Sequence, residues 1–160
     1  MDQITEKIWI GDAHDGLDVP GVKTREITAI LAVLREYIGN ADWAQAGILR
    51  IQIPLDDGMP GQKELLGQAV MTLDRLIKEG HKVLVHCGAG ISRSSTTVIG
   101  YLIYSKQFTD WDKAEALVRF KRPIIFPHGT LRRSMKRWLK MWPYDGTYKL
   151  PETEELMDTE

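Results

Sequence analysis

The chain has 160 residues, 43% hydrophobic and 27% charged, which is enough for one packed core and too few for a second full domain. A net charge of −1 excludes a uniformly basic or acidic protein, and a single cysteine, Cys87, excludes an intrachain disulfide or a cysteine-based zinc cluster. No apolar run approaches the roughly 18 residues that cross a bilayer, and no basic segment followed by an apolar core opens the chain, so a cytoplasmic protein is expected.

Ile8, Trp9 and Ile10 before Gly11-Asp12 predict a short strand closed by a turn. The segment Ile27 to Leu34 fits a buried strand or a helix by periodicity, and its β-branched residues and short length favour a strand. Ala41 to Ala46 is alanine-rich and predicts a short helix ending at Gly47, after which Ile48 to Ile53 alternates like a strand and stops at Pro54. Pro60 is expected to open a helix whose apolar positions Leu65, Leu66, Ala69, Val70, Leu73, Leu76 and Ile77 follow the helical repeat up to Gly80. Lys82 to His86 is a short apolar run of the kind found in a central buried strand, and a glycine-rich loop follows it directly. Further helices are predicted from Ser92, over Trp111 to Lys121, and over Thr130 to Trp142. Strands alternate with helices, so the fold class is α/β, with a mostly parallel central sheet of about four to five strands flanked by helices.

Charge is distributed unevenly behind the small net value. Residues 1–118 carry −4, residues 119–142 carry +8 with no acidic residue, and residues 143–160 carry −5. The division expected is a catalytic domain over residues 1–143 and a poorly ordered acidic tail over 144–160.

The segment that carries chemistry is His86-Cys87-Gly88-Ala89-Gly90-Ile91-Ser92-Arg93-Ser94, between the buried strand and a helix. Such a junction is an anion-binding shape, because unpaired backbone N–H groups and the positive end of the helix dipole converge on one point. Cys87 begins the loop, where these same groups stabilise a thiolate, the attacking form of sulfur. Arg93 falls in the first helical turn and can fold back to hold two phosphate oxygens, a bidentate geometry that lysine cannot reproduce. The alternative is a small buried cysteine beside a surface arginine.

The segment resembles the Cys-five-residues-Arg signature loop of the cysteine-based protein tyrosine phosphatase superfamily, and its form here is most similar to the dual-specificity phosphatase branch. The resemblance implies Cys87 as nucleophile and phosphate binding by Gly88, Ala89, Gly90, Ile91, Ser92 and Arg93. It also implies that Ser94 donates to the thiolate and that His86 orders the loop without acting as a base. Expelling an alkoxide or phenoxide requires a proton, so a general acid is needed. In the branch this Asp follows a strand ending in a pattern like Ile-Pro-Val-Glu-Asp, about thirty residues before the cysteine. Ile53-Pro54-Leu55-Asp56-Asp57 matches it and selects Asp57; Asp56 remains the alternative, because other branches place a proline four residues after the acid, as Pro60 stands to Asp56. Arg122-Pro123-Ile124-Ile125-Phe126-Pro127-His128 resembles the family segment that supports the loop, with His128 where Asn is usual.

The implied reaction is hydrolysis of phosphotyrosine, and of phosphoserine or phosphothreonine, through a phosphocysteine. No cofactor is needed, and the histidines lack the spacing of a metal site. The chain is short for the aromatic loop that deepens the pocket in tyrosine-specific relatives, so a shallow cleft is expected. The uncharged loop disfavours phosphoinositides, which relatives hold with a loop lysine. Phosphoinositide, glucan or RNA phosphate as substrate, sulfur transfer of the rhodanese type, and a non-catalytic phosphate-binding module are the competing readings. Arg132 to Lys140 forms an amphipathic helix with Leu131, Met135, Trp138 and Trp142 inward and a basic outer face. This face is either solvated or docks an acidic partner or anionic lipid; nucleic acid is not expected, because the aromatics face the core. A monomer acting on phosphorylated protein or peptide is expected.

Overall fold

The computed structural model describes residues 1–141. Its strands are β1 (Asp2–Thr5), β2 (Ile8–Gly11), β3 (Ala29–Ala32), β4 (Leu49–Gln52) and β5 (Val83–His86). Its helices are α1 (Ala13–Leu17), α2 (Val19–Thr24), α3 (Lys63–Lys78), α4 (Arg93–Tyr104), α5 (Trp111–Lys121) and α6 (Gly129–Leu139). The strands form one sheet in the order β1-β2-β5-β3-β4, in which only the β1–β2 pair is antiparallel. The α/β class and mostly parallel sheet expected from the sequence are thus observed.

Alternation along the strands divides the core in two. Ile8, Ile10, Ala29, Leu31, Val83 and Val85 pack with α3 to α6, whereas Trp9, Ile30 and Leu84 face a smaller cluster with Val22, Ile27 and Ile48. The larger layer holds Leu66, Val70, Leu73 and Leu76 of α3, all fully buried, at about 1.5–3 kcal/mol for each such side chain. Helix α6 settles into this layer over two glycines. The Trp138 ring lies against Gly67 of α3 and the Met135 thioether against Gly100 of α4, leaving no room for a β-carbon at either place. The inward residues Leu131, Met135 and Trp138 are buried as the helical pattern predicts; Trp142 and the acidic tail lie outside the described residues.

Two local expectations are corrected, and three elements are added to those expected. Ala41 to Ala46 makes a single hydrogen-bonded turn, in which Ala46 N–H reaches Asp42 O and Gly47, at φ +74°, ends the turn. Trp43 sets its position, because its indole N–H donates to Gly16 O and Arg50 stacks on its ring. The helix expected from Pro60 starts at Lys63 instead, because the Gln62 amide closes the preceding loop by bonding Asp56 N–H, Asp56 O and Met59 O. Strand β1 and helices α1 and α2 are additional elements, the last two too short to display a period. Their markers are side-chain caps: Asp12 and Asp15 form a reciprocal capping box, and Asp18 caps α2.

The central strand β5 runs parallel to both neighbours, with His86 beside Gly11 and Ala32. The chain therefore leaves β5 at the carboxyl edge of the sheet, where open α/β folds place their ligands.

Candidate active site

The loop from Cys87 to Ser92 turns its carbonyls toward the scaffold. Cys87 O accepts from His86 Nδ1 (3.1 Å), Gly88 O from Ala13 N–H (3.0 Å), Gly90 O from Arg122 Nε (2.9 Å) and Ile91 O from Phe126 N–H (2.9 Å). Ser92 O accepts from Thr96 N–H in the first turn of α4. The N–H groups of residues 88–93 donate to no other group among the described residues. A peptide whose carbonyls are bonded outward presents its N–H groups inward, giving the nest that binds an anion. Gly90 has φ +70°, and a β-carbon there would collide with Arg122 and with the Gly11 carbonyl, so the tight turn requires glycine.

Cys87 is 2% exposed, and its Sγ lies 3.3 Å from the buried Ser94 hydroxyl, the one side-chain hydrogen-bonding group it touches among the described residues. Arg93, 6% exposed, folds back over the loop. Its NH1 is held by Glu36 (2.8 Å) and by Leu55 O (3.1 Å), while NH2 comes against Gly88. The buried Nε has no partner among the described residues. One edge of the guanidinium is thus anchored, and the Nε–NH2 edge remains for a bidentate oxyanion. Burial alone would weaken this cation, but the Glu36 hydrogen bond and electrostatic attraction from Cys87, Glu36 and Asp57 outweigh it and raise its pKa further.

The two aspartates of the loop after β4 are used differently. Asp56 is locked: its carboxylate takes Arg35 Nε at 2.8 Å, which holds it below the usual carboxylate range, and its backbone is bound at both N–H and C=O by Gln62. Asp57 is exposed, its carboxylate makes no hydrogen bond or ion pair among the described residues, and its charge acts on Arg93.

The expected site residues therefore meet at one edge of the sheet. Sequence reasoning missed Glu36, whose signal was a charged pair, Arg35-Glu36, directly after an apolar strand. The Arg122 segment supports the loop as the resemblance implies, with Arg122 also bound to Asp2 at 2.7 Å. At His128 the support to Ser92 Oγ comes from the backbone N–H (3.0 Å), so it does not need the usual Asn side chain. The imidazole instead caps α6. On the outer face of α6, Lys136 stacks over Trp111 of α5 and the charge of Arg132 acts on Glu115, so part of the basic face serves packing between helices.

His86 is fully buried, with Nε2 against Gly16 and unpartnered among the described residues, and burial lowers its pKa below 6.5. The unfolded chain takes up this proton first. Stability is then unaffected well above about pH 6.5, falls as pH drops through the interval below it, and levels once pH passes under the native pKa. In His86→Asn, whose amide can still serve Cys87 O, melting temperature should vary less with pH across this interval; an unchanged slope would remove His86 as its source.

Comparison with known proteins agrees with this geometry. The family model described as dual specificity phosphatase, catalytic domain, matches residues 8–141. Protein 123R of Invertebrate iridescent virus 6, provisionally named a tyrosine phosphatase, is 33% identical over 141 residues, covering 86% of this chain and 92% of the viral protein. Dual specificity protein phosphatase 2 of Mus musculus is 30% identical over 128 residues, covering 79% of this chain but only 39% of that protein. The crystal structure of human DUSP28 superposes with a TM-score of 0.77 at 18% identity, covering 88% of this chain and 96% of that one. The model match, the viral relative and the shared fold lead to one assignment: the chain belongs to the dual-specificity phosphatase catalytic-domain family of cysteine-based protein phosphatases.

Proposed function

We propose that this domain hydrolyses phosphotyrosyl, and more slowly phosphoseryl or phosphothreonyl, proteins through a phosphocysteine on Cys87. In the first step Sγ attacks phosphorus, the bond from phosphorus to the substrate oxygen breaks, and Asp57 gives that oxygen its proton. In the second, water attacks the phosphocysteine, the Asp57 carboxylate takes the water's proton, and the sulfur leaves as a thiolate accepting the Ser94 hydroxyl hydrogen bond. Phosphate oxygens sit on the N–H groups of residues 88–93 and on the Nε–NH2 edge of Arg93, where charge develops in the transition state.

The observation that carries this reading is the pairing of a buried Cys87–Ser94 contact with an arginine anchored on one edge only. Preference for an aryl phosphate is supported by two exposed aromatic side chains on segments that touch the site. Tyr37, 80% exposed, adjoins Glu36, and Phe126, 68% exposed, bonds Ile91 through its backbone. The exposed basic residues of α6 favour acidic flanks on the substrate, an attraction that salt should weaken.

The test is turnover of p-nitrophenyl phosphate, expected to be blocked by vanadate and indifferent to EDTA, followed by a panel of phosphopeptides, phosphoinositides, glucan phosphate and RNA 5′-phosphate. Absence of turnover on p-nitrophenyl phosphate rejects the enzyme reading. A phosphoinositide, glucan phosphate or RNA end hydrolysed faster than every phosphopeptide rejects a protein substrate.

A further inference from the structure

We propose that Thr130 is a positioning residue for the general acid, its hydroxyl latching the Asp57 loop to the segment that braces the phosphate loop. The inference rests on the assignment of Asp57 made above. Thr130 Oγ1 donates to Gly58 O at 2.8 Å, across 72 positions of sequence, and Gly58 directly follows Asp57. On the other side Asp56 is clamped by Arg35 and Gln62. Asp57 therefore stands between two tied neighbours, its backbone fixed from both sides while its own carboxylate stays unengaged.

The far end of the latch is the signature loop itself. Two residues before Thr130, His128 N–H holds Ser92 Oγ, so a short stretch of chain links the peptide carrying the acid to the peptide carrying the phosphate site. The imidazole closes the arrangement. Its Nε2 edge lies beside Gly58, where even a β-carbon would sit 3.1 Å from it, and Gly58 at φ +68° accepts this close approach. Gly58 O can only accept, so the hydroxyl proton of Thr130 is committed to it. The 2.9 Å contact between Thr130 Oγ1 and His128 Nδ1 is then a hydrogen bond only when Nδ1 carries a proton, and Nδ1 in that form cannot also accept Thr130 N–H. Holding the acid in place before substrate arrives removes an ordering cost from the proton-transfer step.

Misplacing the acid harms substrates whose leaving group needs a proton and spares those that do not. The test compares kcat on phenyl phosphate, a poor leaving group, with kcat on p-nitrophenyl phosphate, a good one, in wild type, Thr130→Val, Thr130→Ser and each combined with Asp57→Asn. Thr130→Val should lose about fivefold on phenyl phosphate, the factor of one neutral hydrogen bond, with little change on p-nitrophenyl phosphate or in vanadate inhibition. Thr130→Ser should restore the rate, and in the Asp57→Asn background Thr130→Val should cost nothing further. Equal losses on both substrates, a serine variant as impaired as valine, or a full additional loss without Asp57 each overturns the latch while leaving the phosphatase reading intact. A wild-type protein inactive on both substrates overturns both.

Discussion

Cys87→Ser is expected to lower turnover of every phosphate ester by at least about four orders of magnitude, the scale seen when a catalytic nucleophile is removed, while leaving fold and oxyanion binding in place. The substitution exchanges one small atom at a site that is 2% exposed, and the Ser94 hydroxyl at 3.3 Å can bond to either. Reactivity is what changes. A serine alcohol is protonated at neutral pH and needs a base within hydrogen-bond reach, and among the described residues Cys87 Sγ has only the Ser94 hydroxyl in reach: the His86 Nδ1 proton is spent on Cys87 O, and Nε2 is enclosed against Gly16. The loop N–H groups and the Nε–NH2 edge of Arg93 remain as they were, so vanadate or tungstate should still protect the variant against thermal unfolding. Initial rates on p-nitrophenyl phosphate and melting curves with and without oxyanion check both halves. A serine variant retaining a tenth of the activity would move the nucleophile away from Cys87.

The site was legible in the sequence where its residues are close together. Val83 to His86 is apolar at every position but the last, as a strand buried on both faces must be, and the glycines and arginine follow within seven residues, so strand, nest and helix start could be read as one unit. The loop proposed to carry the acid was legible by pattern but ambiguous between Asp56 and Asp57, because adjacent carboxylates differ only in what lies across from them. Arg35 and Gln62, brought in by the fold, make the difference. Two contacts between segments distant along the chain were not read from it. Glu36 reaches Arg93 across 57 positions and Thr130 reaches Gly58 across 72, and neither pair follows from a local period. Strand β1 was missed because only Ile4 among its four residues is buried, so no alternation appears. The Ala41 to Ala46 segment has helical composition, yet a single turn leaves most helical hydrogen bonds unmade, and the tryptophan contacts determine its shape.

Asp57→Asn should cost about 10²–10³-fold on phenyl phosphate and distinctly less on p-nitrophenyl phosphate, within the range that a general acid supplies. The argument for Asp57 is one of availability. Asp56 is stabilised as a carboxylate by the Arg35 hydrogen bond, and a group held ionised below the usual range is a poor proton donor in the first step. Using Asp56 as the acid would also mean releasing it from Arg35 in every turnover. Asp57 needs no such release, since no described partner holds its carboxylate, and its charge acts on the same Arg93 that is proposed to receive the phosphate. Asp56→Asn removes a largely exposed ion pair, and such pairs contribute little, so its effect should stay within about threefold on phenyl phosphate and be smaller still on p-nitrophenyl phosphate. The comparison is therefore made on the ratio of the two rates: removing the acid changes that ratio by far more than loosening its loop does, whereas damage to the phosphate site lowers both rates together. If Asp56→Asn shifts the ratio by far more than Asp57→Asn does, the Arg35 pair opens during catalysis and the acid is Asp56.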